Sequence, residues 1–369
     1  MKSEYLNSYL QFADALFSGA AKKASKAENI LLSPYSMYSL MSMLADGANL
    51  ETRGEIVSAL AKNNADYYLA LSDLTSAFSD SGEAEFHDAD AVIVKAENRK
   101  IVREDFVRLI DDLYGAPVLS ADDIVSTVNK WVKKNTNGMI QKLLQPGTNP
   151  DLCLLNAIAF EAKWMRKYQP CDIEEGQVFT NSAGREESAT MLYSTEHVWL
   201  EGDGLIGFAK PYKGGKYDFV ALIPESEDED ITDHLPSASK ISALYRNGRD
   251  IKTEVTMPEF TFDFSVEMTE VLKSMGITSA FAPGMADLSF LTSVPGSYVE
   301  SVLHKTHIEN TRQGTKAAAV SAAMVVCGCI PNFDETKYVT LDRPFVFAIM
   351  HHDTAAPLFV GIVNTLEGR

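Results

Sequence analysis

Apolar residues recur every three or four positions near the start of the chain. In EYLNSYLQFADALFSGA (4–20), Leu6, Tyr9, Leu10, Ala13, Leu16 and Phe17 form one stripe, which predicts an amphipathic helix stopping at Gly19. SPYSMYSLMSMLADGA (33–48) places a capping Ser33 and a first-turn Pro34 before a helix that is apolar almost all round and ends before Gly47. Such a helix belongs in the middle of a molecule. DDIVSTVNKWVKKNTNG (122–138) predicts a third helix with Ile124, Val128, Trp131 and Val132 inward and Asn137-Gly138 as its stop. The N-terminal third thus reads as helical.

Farther on the period changes. LCLLNAIAF (152–160) is a continuous apolar run of strand length, as expected for a strand covered on both faces. Asn156 interrupts it, and a buried amide costs free energy unless hydrogen-bond partners meet it. YDFVALIP, IKTEVTMPEFTFDF, YVTLDRPFVFAIMHH and PLFVGIVNTL read as further strands. Helices first and strands later predict an α+β protein built on large antiparallel or mixed sheets. No repeat or long linker divides the chain, so residues 1–369 are expected to form one domain.

Charge narrows the partners. Thirty-three basic against 51 acidic residues give a net charge of −18, which disfavours nucleic acid, heparin and anionic membranes. No apolar run reaches the ~20 residues of a membrane span. The start has no signal-peptide core, so the protein is either cytoplasmic or exported with its leader already removed. Four cysteines (Cys153, Cys171, Cys327 and Cys329) are too few for a disulfide framework, and no Asn-x-Ser/Thr sequon occurs.

Candidate chemistry is sparse. GDGLIG (202–207) contains G-x-G-x-x-G, but Pro211 and a glycine pair follow where a helix should, so a hairpin is expected rather than a nucleotide site. ESEDED (225–230) reads as a solvated loop, and HHD (351–353) as a hairpin tip rather than metal ligands. There is no G-x-S-x-G elbow, and Cys327-Gly328-Cys329 lacks redox spacing. Neither an enzyme, a cofactor nor a metal is expected.

One stretch is unusual. GTKAAAVSAAMVVCGCIPNF (314–333) runs uncharged from Ala317 to Phe333. At period two, one face carries Thr315, Ala317, Ala319, Ser321, Ala323 and Val325, all small and uncharged, so it can enter a sheet without burying a charge. Alanine is nonetheless a poor strand former, and loop or helix fits the segment as well.

GTKAAAVSA resembles the hinge of the serpin family, and VTLDRPFVFAIM its downstream signature. NILLSPYSMYSLMSMLADGANLETRGEI, VNKWVKKNTNGMIQKLL, LLNAIAFEAKWMRKY, MPEFTFDF, GMADLSF and PLFVGIVNT are similar to further serpin segments, in order along essentially the whole chain. The resemblance implies a serpin fold of about nine helices around three β-sheets, with an exposed reactive-centre loop at about 314–336. It places Gly314, Thr315, Lys316, Ala317, Ala318, Ala319, Val320 and Ser321 in the hinge, and Trp164 in the breach at the top of the main sheet. Ser33, Ser36, Asn156 and His304 match the polar shutter beneath that sheet.

The function implied is suicide inhibition of a serine protease, in which the cleaved loop inserts into the main sheet while an acyl-enzyme still tethers the protease. The alternative is a non-inhibitory carrier, chaperone or storage protein. Arg312 and Lys316 stand where the family usually has Glu, and Gln313 replaces another commonly charged position, so an altered insertion rate is expected. Counting from Gly314 gives Gly328–Cys329 as the scissile bond, with Cys327–Gly328 and Val326–Cys327 as rivals. No Lys or Arg occurs between 317 and 336, which points to an elastase-like or subtilisin-like target with a small apolar pocket. Exposed Cys327 and Cys329 would make inhibition sensitive to oxidation. A monomer at an extracellular or cell-surface location completes the expectation.

Overall fold

The computed structural model describes residues 1–61, 66–79, 82–148, 150–315 and 335–367. The first stripe becomes α1 (Ser3–Lys23), which continues past the expected stop at Gly19. A Cβ at Gly19 would lie 2.5 Å from Cγ1 of Val271, so this glycine allows close helix packing rather than ending the helix. After β1 (Ile30–Leu32), α2 (Pro34–Gly47) is buried along its whole length. Ser33 caps it by accepting the Ser36 N–H at 3.2 Å.

Then follow α3 (Leu50–Leu60), α4 (Tyr67–Ser79), β2 (Glu85–Lys95), α5 (Glu104–Tyr114), β3 (Val118–Ala121) and α6 (Ile124–Asn135). The N-terminal third is therefore not all helical, because β1, β2 and β3 lie in it. The third predicted helix, α6, does stop where Asn137 and Gly138 turn to positive φ. The strands β4 (Leu152–Lys163), β5 (Ile173–Thr180), β6 (Glu186–Gly202), β7 (Leu205–Pro211) and β8 (Tyr217–Pro224) come next. They are followed by α7 (Ala238–Arg246), β9 (Arg249–Pro258), β10 (Phe260–Glu267), α8 (Thr269–Ser274) and β11 (Leu303–Thr311). The chain closes with β12 (Gly314–Thr315), β13 (Thr336–Thr340), β14 (Phe345–His351) and β15 (Pro357–Val363). The turn between β6 and β7 is formed by GDGL, and HHD sits at the β14–β15 turn, as the hairpin readings expected.

Among the described residues the strands join into two hydrogen-bonded networks, within the expected α+β architecture. The nine-stranded one is continuous because the long β6 pairs with β9 over residues 191–199 and with β7 over residues 198–202. The six-stranded sheet has the order β10-β11-β12-β4-β2-β3. Helix α2 packs against β4 on one side and β15 on the other, in the main core between the two networks. On the opposite face of the six-stranded sheet, α6 buries Ile124, Val128 and Val132 against Ile93 and Leu155.

Candidate functional site: the sheet gap and its anchors

The six-stranded sheet is joined at its centre by very little. Strand β12 pairs on one side with Asn310 and Thr311 of β11, and on the other with Ala162 and Lys163 of β4. Among the described residues no ladder joins β4 to β11 directly, so two residues, Gly314 and Thr315, bridge strands of twelve and nine residues. Gly314 has φ +143°, and a Cβ there would sit 2.0 Å from the Ala162 carbonyl oxygen, so only glycine fits. Lys316, Ala317, Ala318, Ala319, Val320 and Ser321 of the expected hinge lie outside the described residues. So do all the candidate scissile residues, Val326, Cys327, Gly328 and Cys329.

Aromatic packing holds the top of this bridge. Thr315 is 3% exposed, and its Oγ1 shares a 2.5 Å hydrogen bond with the Tyr212 hydroxyl. Burial raises the Tyr212 pKa, so the phenol stays neutral there. The Tyr212 ring stacks on Trp164 with centroids 4.6 Å apart and planes 8° apart. Trp164 is fully buried; its Nε1–H donates to the Thr311 carbonyl at 2.8 Å and its backbone N–H to Gln313 at 3.2 Å. Trp164 therefore holds both ends of the turn preceding Gly314, Thr311 through its indole and Gln313 through its backbone.

Within that turn Arg312 is paired with the Glu259 carboxylate. Its Nε and Nη2 donate to Glu259 at 2.9 and 2.7 Å, and its backbone N–H donates to the same carboxylate at 2.7 Å. Burial would raise the Glu259 pKa, but these bonds and the guanidinium charge hold it below the usual carboxylate value. The positive charge at 312 is thus neutralised at the junction of β9 and β10.

Beneath the gap, the four expected shutter residues fall into two groups. The N–H of Ser33 donates to His304 Nε2 at 3.2 Å, tying the cap of α2 to β11. Burial drives the His304 pKa down to about 4, so the ring is a neutral acceptor at pH 7. Ser36 joins this group only through its backbone bond to Ser33. Asn156 is elsewhere: its Nδ2 donates to Asp88 at 2.8 Å and Asp90 at 3.2 Å, and no hydrogen bond joins it to His304 among the described residues. The cause is register, since Asn156 stands directly opposite Asp90 on the neighbouring strand β2.

The two aspartates were not anticipated. Tyr35 donates to Asp88 at 2.6 Å and Ser39 to Asp90 at 3.1 Å, so α2 is held to the β2–β4 half as well. Burial raises the pKa of both, and the Asp88 charge adds to the rise at Asp90. The signal was in HDADAV, where Asp88 and Asp90 share one face of a period-two segment with apolar Phe86 and Val92. Helix α2 is therefore bonded to both halves of the six-stranded sheet.

The sequence profile described as "Serpin (serine protease inhibitor)" matches residues 7–366. The chain belongs to the serpin family of serine protease inhibitors. It is similar to the thermophilic serpin tengpin in its native state, at 32% identity and a TM-score of 0.87, over 99% of this chain and 95% of that one. Tengpin in its latent state matches at 29% identity and a TM-score of 0.83, over 100% and 99% of the two chains. Among curated relatives, Serpin-ZXA of Oryza sativa subsp. japonica is 28% identical over 97% of this chain and 95% of its own length.

Proposed function

We propose that the protein is a suicide-substrate inhibitor of an elastase-like or subtilisin-like serine protease, and not itself a catalyst. The observation that carries this reading is the two-residue strand β12, which wedges the start of the loop between β4 and β11. In the reaction proposed, the protease serine Oγ attacks the carbonyl carbon of the scissile loop peptide. The C–N bond breaks, the protease histidine passes the serine proton to the leaving amine, and an ester links loop and protease. The freed strand continues the path begun by Gly314 and Thr315, and the tethered protease moves with it. Some ten new backbone hydrogen bonds at ~1 kcal/mol net each supply on the order of 10 kcal/mol.

Three further features support the reading. Small residues from Ala317 to Ala319 fit a buried strand, Arg312 is neutralised by Glu259, and a relative has been captured in both native and latent states. The absence of Lys and Arg between 317 and 336 supports the small apolar pocket of the target.

The test is incubation with pancreatic elastase and with subtilisin, followed by a denaturing gel and mass spectrometry of the released C-terminal peptide. The expected result is a protease-linked band that survives denaturation, with the peptide mass fixing the bond. Cleaved protein should also melt roughly 10–15 °C higher, the shift that ~10 kcal/mol gives in a chain of this length. Clean cleavage without such a band, together with an unchanged melting temperature, would overturn the proposal in favour of a carrier.

A further inference from the structure

A buried charge pair stands behind the Trp164 anchor. Strand β7 reads LIGFAKP, and in this apolar run Lys210 is 1% exposed. Its Nζ donates to Glu196 Oε1 at 2.5 Å, and Glu196, on β6, is equally enclosed. The Ser194 hydroxyl donates to the same carboxylate at 2.7 Å. The ammonium also lies 5.3 Å from the Trp164 ring centroid and 4.6 Å from that of Tyr168. It occupies a cage of one carboxylate and two aromatic rings, with no water-facing side.

Stability alone does not account for such a pair. Replacing a buried ion pair by apolar side chains of similar volume is often neutral or stabilising, because desolvation offsets the attraction. What the pair can supply is a fixed position. Its place in the molecule shows what would be fixed: Lys210 lies two residues before Tyr212, Tyr212 and Trp164 form an isolated bridge between the two sheet networks, Tyr212 bonds Thr315 at the start of the loop, and Trp164 bonds the turn just before it. The contacts form one chain from Glu196 to Lys210, to Trp164, to Tyr212, to Thr315.

We infer that Lys210 is a positioning residue for loop entry: its caged ammonium fixes the Trp164 ring, and through Trp164 and Tyr212 it sets the position of the Thr311–Thr315 turn from which the loop begins. This rests on the reading that the loop enters between β4 and β11. Removing the cation frees the indole to tilt, loosens the turn and lets the loop enter earlier. Arginine keeps the charge and can lie flat on both rings, so it preserves the function where methionine does not.

The test is hydrogen exchange of the uncleaved protein, comparing a peptide spanning 311–315 with a core peptide from β14. Lys210→Met should raise exchange in the turn peptide about tenfold, the effect of losing one desolvated cation–π contact, and leave β14 unchanged. Lys210→Arg should restore the wild-type rate. Because Lys210→Met leaves the Glu196 carboxylate unpaired, Lys210→Met/Glu196→Gln is run beside it and should show the same localised increase. An increase spread evenly over turn and core, no increase, or no rescue by arginine would overturn the inference. A second arm measures complex formation with subtilisin. Failure of the wild type to form a complex would sink the inhibitory reading, while the exchange pattern would still decide the role of Lys210.

Discussion

Reversing the charge at the loop's root should be costly, and reversing it twice should not. Arg312→Glu removes two charge-assisted bonds of 2.9 and 2.7 Å and sets a carboxylate against Glu259. Each such bond is worth ~1.5–3 kcal/mol when enclosed, but the Arg312 side chain is 39% exposed and that of Glu259 21%, so water screens much of the gain. The single substitution should therefore cost about 2 kcal/mol, with Glu259→Arg costing a similar amount. In Arg312→Glu/Glu259→Arg the pair re-forms with its polarity exchanged. A coupling energy of about 1–2 kcal/mol should appear in the double-mutant cycle. Urea midpoints of the uncleaved protein, with slopes checked for constancy, measure it. The pH dependence gives an independent check. The Glu259 pKa is held below its ordinary 4.5, so the stabilisation is present above that value and lost as pH falls through the lower folded value. The coupling at pH 7 should accordingly shrink toward pH 3. If the exchanged pair is as unstable as the sum of its single variants, the Arg312–Glu259 contact does not hold the turn and the reasoning fails.

Three further outcomes are expected. The folded His304 pKa of about 4 lies below the ordinary 6.5, so between these values the unfolded chain binds a proton that the native protein refuses. Acidification across that window should cost about 3 kcal/mol, and His304→Gln should remove most of that slope; identical slopes in wild type and variant would refute the assignment. The aspartates carry the opposite sign: their raised folded pKa values favour the native state at acid pH and lose that advantage as pH rises, so Asp90→Asn should stabilise the protein by ~1 kcal/mol at pH 8 and progressively less toward pH 4. Gly314→Ala forces a Cβ against the Ala162 carbonyl at a φ that L-residues avoid, and should lower stability by about 2 kcal/mol or more, measured by thermal melting; an unchanged melting temperature would show that β12 does not hold the top of the gap.

The parts of this molecule that were legible in its sequence are those whose cause is local. Helix α2 announces itself because every face is apolar, and α6 because Val128 and Val132 repeat at helical spacing before Asn137-Gly138. Gly19 misled because a glycine after an amphipathic stripe looks like a stop, while its reason is Val271, a neighbour 252 positions away. Strand β2 was missed because its inward Asp88 and Asp90 give it the polar alternation of a surface segment.

The charged pairs show the limit most clearly. Lys210 and Glu196 are fourteen residues apart on neighbouring strands, and nothing nearby distinguishes them from solvent-facing charges. Arg312 read as a departure that would alter the insertion rate, because its partner Glu259 lies 53 residues earlier at the β9–β10 junction. Physically, the loop's root requires a neutralised charge within reach of the β9–β10 junction; it has no requirement as to which partner carries the positive sign. A position-by-position comparison sees the sign and misses the pair. With its partner, Arg312 fits the proposed inhibitory function, because an unpaired cation at that point would hinder the strand that the proposal sends into the sheet after Thr315.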